Sequence, residues 1–163
     1  MAERTVSVFT FTKTYAMTGW RIGYLHAPAD MVGQIKKAHI PLAICAPTVS
    51  QFAALGAMRA DQDCVDEFRE HYRRTRDLMC ERLDHMEHVF DYQKPRGSYL
   101  MFPKVRLSEG ADSLAFAKRL LREAHVSTTP GVAFRGEGHL RLSFCVPEET
   151  VNLAFDRMEK MFP

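Results

Sequence analysis

Three features of the 163-residue sequence predict an α/β fold. The first is a β-branched and aromatic stretch, Thr5 to Phe11, which resumes as an extended pattern from Trp20 to Leu25 after a turn at Gly19. The second is a long amphipathic run from Asp63 to about Phe90. The third follows Pro95, where strand, helix, strand, strand and helix succeed one another in the order of a compact α/β sandwich. The long run would join that sandwich, as a small domain, to the rest of the chain. At 46% apolar residues the chain can build a proper core, and its length suits one ordinary domain or two small ones.

In the opening strand, Val6, Val8 and Thr10 fall on one face and Ser7, Phe9 and Phe11 on the other. Pro28 suits a helix start, with Met31, Ile35, Ala38 and Leu42 at helical spacing before a break at Pro41 and Pro47. A second helix, Thr48 to Ala60, carries Val49, Phe52, Leu55 and Met58 on one face. In the long run Val65, Phe68, Tyr72, Met79, Leu83, Met86 and Phe90 recur at helical intervals. Beyond it, Gly97 to Pro103 reads as a strand closed by proline, and Asp112 or Ser113 can cap a helix bearing Leu114, Ala117, Leu120, Leu121 and Ala124. Val126 to Thr129 forms a short strand, Gly131 to Gly138 a glycine-rich loop, and His139 to Cys145 a further strand. Pro147 opens the final helix, with Val151, Ala154, Phe155, Met158 and Phe162 along one side.

Charge excludes some partners. A net charge of +2 argues for neither nucleic acid nor an anionic membrane surface, since those partners call for clustered basic charge. On the long helix Arg69, Arg73, Arg74, Arg76 and Arg82 are interspersed with acids, the pattern of a solvated face. No apolar run approaches the roughly 18 residues of a membrane span. Cys45, Cys64, Cys80 and Cys145 show no C-x-x-C pair, so neither a disulfide framework nor a zinc site is expected, and a reducing cytoplasm fits best. His85 and His88 lack a third ligand at metal-binding spacing, and no metal is expected.

Two basic residues have a chemical use together. Lys13 and Arg21 sit at neighbouring strand ends, eight positions apart. A lysine amine held partly neutral can form a Schiff base with an aldehyde. An arginine fork suits a phosphate dianion, and the hydroxyls of Thr10 and Thr12 can donate to the same group. Aldehyde and phosphate on one ligand describe pyridoxal phosphate. On spacing alone, a solvated lysine in a hairpin-like loop and an arginine paired with a carboxylate explain the pattern as well. Arg141 carries a similar choice. The alternation of Leu140, Leu142 and Phe144 puts it on the face opposite the core, either as an edge-strand arginine in an ion pair or as a carboxylate-binding fork.

The run Thr12-Lys13-Thr14-Tyr15-Ala16-Met17-Thr18-Gly19-Trp20-Arg21-Ile22-Gly23-Tyr24 resembles the lysine signature of the class I/II aminotransferases, the fold-type-I pyridoxal-phosphate enzymes. Threonine stands at positions 10 and 12, where that family commonly has serine, and keeps the hydroxyl. Pro130-Gly131-x-x-Phe134 followed by Leu140-Arg141-Leu142-Ser143-Phe144 resembles the family's C-terminal signature, and Gly97 to Pro103 its strand entering the small domain. The resemblance implies Lys13 as the lysine that binds the cofactor aldehyde, Arg21 and Thr10 on its phosphate, and Arg141 on the substrate α-carboxylate. It implies the C-terminal part of the PLP-dependent transferase fold. Residues 1–75 would be the remnant of the large domain with the start of the long helix, and residues 76–163 the small domain.

The same resemblance implies transfer of an amino group between an amino acid and a 2-oxo acid, and a homodimer. A lyase of the same fold, or an aminotransferase-like effector domain of a transcription regulator, are the alternatives it leaves. Family members place an aspartate at the pyridine nitrogen, a stacking aromatic ring, and an asparagine or tyrosine near the phenolic oxygen, all from sequence before the lysine strand. Met1 is therefore expected to be an internal methionine of a longer protein, or an added start. The piece alone is expected to show little or no transamination.

Overall fold

The computed structural model describes residues 2–163, which divide into two compact units, the first reaching Phe68 and the second running from Arg69 to Pro163. In the first, β1 (Ser7–Thr10) and β2 (Gly23–His26) form an antiparallel pair in which Thr10 faces Gly23 and Ser7 faces His26. Gly23 is required by close approach: a Cβ there would stand 2.4 Å from the Phe9 carbonyl oxygen. Between the strands lies α1 (Phe11–Thr14), a single helical turn. Two longer helices follow, α2 (Ala29–Ala43) and α3 (Thr48–Arg59).

Two features of this unit differ from the sequence expectation. Pro41 does not break α2, because it falls in the last turn and the helix closes only at Ile44, which takes a positive φ of 53°. The apolar stripe of α3 also faces outward: Val49 and Phe52 are 65% and 69% exposed. The buried side of α3 is its small-residue side, where Ala54 packs with Phe11 and Met17 and is flanked by Ala53 and Ala57. Small side chains let the helix backbone come close to the α1 turn, and the large ones point away.

Helix α4 (Asp63–His85) carries the chain from one unit into the next. It ends earlier than its apolar pattern, and Phe90 belongs to a strand. In the second unit β3 (Phe90–Asp91) pairs antiparallel with β5 (Lys104–Val105). A three-stranded antiparallel sheet has the order β4 (Leu100–Met101), β7 (Leu140–Ser143), β6 (Thr129–Pro130). Helices α5 (Ser113–Arg119) and α6 (Glu148–Met161) complete it.

One core unites α4, the strands, α5 and α6: Leu83, Phe90, Met101, Phe116, Leu140, Phe155 and Met158 are all essentially inaccessible. Leu140, Leu142 and Phe144 face this core as the alternation requires. Along α5 and the helical turn Leu120–Ala124 that follows it, the structure buries Phe116, Ala117 and Leu120 and leaves Leu114 and Leu121 about half exposed. Asp112, rather than Ser113, caps α5, its carboxylate accepting from the Ala115 N–H at 2.8 Å. Along α4, Arg73 pairs with Glu70, Arg76 with Asp77 at 2.8 Å, and Arg82 with both Asp156 and Glu159. Arg73 lies on a solvated face, whereas Arg82 is largely covered, held between α4 and the acids of α6 with its guanidinium over the Phe155 ring. His88 sets its Nε2 3.2 Å from the Phe162 carbonyl oxygen.

Candidate active site

Lys13 sits inside α1, not in an open loop at the strand end. The reason lies in the residue three places before it. Thr10 keeps an extended backbone, and its Oγ1 accepts from the Thr12 N–H at 3.1 Å, which caps and so starts the helical turn. The Thr10 hydroxyl in turn donates to Thr12 Oγ1 at 2.9 Å, so the two hydroxyls share one end of the turn. Phe11 continues the strand pairing by donating to the Ile22 carbonyl at 3.3 Å, while its ring is buried. Lys13 is thereby fixed at the backbone between a capped start and a buried anchor, with its side chain toward solvent.

The return limb is held as firmly. Buried Ser50, on α3, donates from its hydroxyl to the Trp20 carbonyl at 2.8 Å. Tyr15 donates to Gln62 Oε1 at 2.9 Å, tying the end of α1 to the segment before α4. Arg21 follows Trp20 with a positive φ of 48°, a conformation that non-glycine residues seldom adopt. Its guanidinium donates to the Thr18 carbonyl at 2.9 Å. Thr10, Lys13 and Arg21 therefore belong to one local structure, in which Thr10 pairs with Gly23 two residues beyond Arg21. Neither Ser50 nor Gln62 was apparent as a support from the sequence; the available signal was a serine on the small-residue face of an alanine-rich helix.

Arg141 belongs to the second unit. It lies on β7, the central strand of its sheet, so the edge-strand reading does not hold. Its guanidinium donates to Thr129 Oγ1 at 3.3 Å on neighbouring β6, and stacks over the Phe134 ring at 4.6 Å from the centroid. Among the described residues no acid forms an ion pair with it. Phe134 comes from a single 3₁₀ turn, Gly131–Phe134, inside the glycine-rich loop. Gly131 is another close approach, because a Cβ there would meet the Gly136 carbonyl oxygen at 2.0 Å.

The sequence profile of the family "Aminotransferase class I and II" matches residues 1–158. The chain belongs to this family. The class I and II aminotransferases depend on pyridoxal phosphate, and this chain has the architecture of the C-terminal part of their fold. Its relatives include an aspartate aminotransferase of Pyrococcus abyssi, 39% identical, and an aromatic-amino-acid aminotransferase of Thermococcus litoralis, 38% identical; each alignment covers 99% of this chain and 42% of the relative. The crystal structure of an aromatic aminotransferase from Pyrococcus horikoshii superposes with a TM-score of 0.92 at 38% identity, over 99% of this chain and 43% of that one. The chain thus spans about two fifths of the length of the relatives it matches.

Proposed function

We propose that this chain carries the cofactor-lysine and substrate-carboxylate parts of a pyridoxal-phosphate-dependent aminotransferase, which moves an amino group between an amino acid and a 2-oxo acid in the cytoplasm. The observation that carries the reading is the capped α1 turn, which presents Lys13 beside two threonine hydroxyls and the constrained Arg21. The donor set fits the cofactor: one amine for an aldehyde, and hydroxyls and a guanidinium for a phosphate dianion. Pyridoxal phosphate, when bound, supplies an electron sink for charge developing at an amino-acid α-carbon.

The roles of the chain's own groups follow. Thr10 and Arg21 would hold the phosphate. The Thr10 hydroxyl, which now donates to Thr12, has only to rotate to donate outward, and the Arg21 guanidinium has only to leave the Thr18 carbonyl. Lys13 would hold the cofactor through its Nζ, and when that amine is free and neutral it can accept a proton at the substrate α-carbon and return it. Arg141, held from below by Phe134 and at its side by Thr129, has fork donors left for an α-carboxylate. Coverage of two fifths of its relatives supports a further expectation, that the 163-residue chain by itself turns over little.

The first unit supports a homodimer. Leu42, Ile44, Val49 and Phe52 are each at least 65% exposed, an apolar surface that favours association. Equilibrium dialysis tests the cofactor reading. Pyridoxal phosphate should be retained by the wild-type chain and displaced by inorganic phosphate. Arg21→Ala should weaken retention by roughly tenfold, as expected for losing a charge-assisted hydrogen bond. Equal retention by the two proteins would remove Arg21 from the site.

A further inference from the structure

The loop that carries Phe134 is tied to the first residue of α5. Glu137 Oε1 accepts from the Ser113 N–H at 2.6 Å and from the Gly138 N–H at 3.3 Å. Ser113 is fully buried, and its Oγ accepts from the Val132 N–H at 3.1 Å. Two hydrogen bonds thus run in opposite directions between the first residue of α5 and the two limbs of the loop. Within the loop, Gly136 donates to the Gly131 carbonyl at 2.9 Å, and Gly131 donates to His139 at 2.8 Å. Phe134 is the exposed tip of this closed frame, and its outer contacts are the edge of Phe102 and the guanidinium of Arg141.

We propose that Glu137 and Ser113 are positioning residues for Arg141, acting through Phe134. Neither touches the guanidinium. They set the height of the 3₁₀ turn, which sets the Phe134 ring as the floor on which the Arg141 fork lies flat. Thr129 fixes only one edge of that fork. A carboxylate binding in the plane of the guanidinium needs the fork held in one orientation, and a stacked ring supplies that without consuming a donor. Gly131 and Gly136 are the corollary, because a Cβ at either would collide with the loop backbone or with Phe102. The inference rests on the reading of Arg141 as a carboxylate-binding residue, and it adds the frame that makes the residue fit for that work.

Nuclear magnetic resonance of the arginine Nε–H groups in the 163-residue chain tests it, with Arg141→Lys to assign the signal. A proton lying over an aromatic face is shifted upfield, so the Arg141 resonance reports the stacking with no ligand present. Glu137→Ala should abolish most of that upfield shift, as should Phe134→Leu. Glu137→Gln, whose amide oxygen can still accept from Ser113 and Gly138, should restore most of it. Ser113→Ala, which removes the hydroxyl and keeps the N–H, should give an intermediate shift and serves if Glu137→Ala fails to fold. Methyl signals of Met79 and Met158, on α4 and α6, should stay unchanged in each variant, so that a global loss of structure is recognised.

Titration with succinate forms the second arm. Its effect on the Arg141 signal should weaken about fivefold in Glu137→Ala, the factor for roughly one lost hydrogen bond. An Arg141 resonance that keeps its full wild-type upfield position in folded Glu137→Ala and Ser113→Ala would overturn the positioning role. A wild-type Arg141 that stacks normally and ignores succinate would instead overturn the carboxylate role on which the inference rests.

Discussion

Thr10 does two jobs that a sequence reading separates. Its hydroxyl is a candidate phosphate donor, and its Oγ1 also caps the turn that holds Lys13. Placement of Lys13 near a strand end was legible, because the β-branched run and Gly19 mark the strand and its return. The helical turn was not legible, since one short capping bond decides it. Arg141 was legible as a residue on the solvent-facing side of its strand. Its neighbours were not, because Thr129 and Phe134 reach it only through sheet pairing and loop closure.

Glu137 offers a pH test at this scale. Hydrogen bonds from the Ser113 hydroxyl and N–H, and from the Gly138 N–H, hold its carboxyl below the usual carboxylate range. A carboxyl depressed in the folded state adds stability that is complete above its unfolded value and is lost as the pH falls through the folded one. Glu137→Gln should therefore be less stable than the wild type at neutral pH, and the gap in urea midpoint should close on acidification. A gap that stays constant from neutral to acid pH would deny the carboxylate that role.

Among the elements of the second unit, β7 and α6 follow their patterns closely because burial enforces a period, whereas α5 buries Phe116 in place of Leu114 and two of the strands shrink to Leu100–Met101 and Thr129–Pro130. Leu140, Leu142 and Phe144 alternate inward, and Val151, Phe155 and Met158 line the buried side of α6. The departures lie where apolar residues remain uncovered. Helix α3 turns alanines inward and Phe52 outward, and α2 continues through Pro41 with no residue fully buried. Periodicity identifies a face and does not say which neighbour covers it. The β1–β2 pair gives a mutational test, since Gly23→Ala places a Cβ 2.4 Å from the Phe9 carbonyl oxygen. The expected cost is about 1–3 kcal/mol, by analogy with overpacking. The fluorescence of Trp20, the single tryptophan, should report it as a lower urea midpoint. An unchanged midpoint would mean that the pair relaxes without strain.

At the scale of the whole molecule, the two units differ in how completely they cover their apolar side chains. The second holds a core of some twenty buried residues, whereas the buried cluster of the first is Phe11, Met17 and Ala54. Exposed residues such as Leu42, Val49 and Phe52 then favour self-association. Phe52→Ser should shift sedimentation toward monomer while changing stability by no more than about 0.5 kcal/mol, as for a surface substitution. A variant that sediments like the wild type would exclude this face from the contact. Among the described residues no helix is long and apolar enough to cross a membrane.

The claim on which the account turns is that Lys13 is the cofactor lysine. Its most direct test is to incubate the purified chain with pyridoxal phosphate, reduce with borohydride, and map the fixed pyridoxyl group by peptide mass spectrometry beside Lys13→Ala. The account predicts labelling concentrated at Lys13 and lost in the variant. Labelling spread over surface lysines such as Lys36, Lys37 and Lys118, and unchanged in Lys13→Ala, would contradict it.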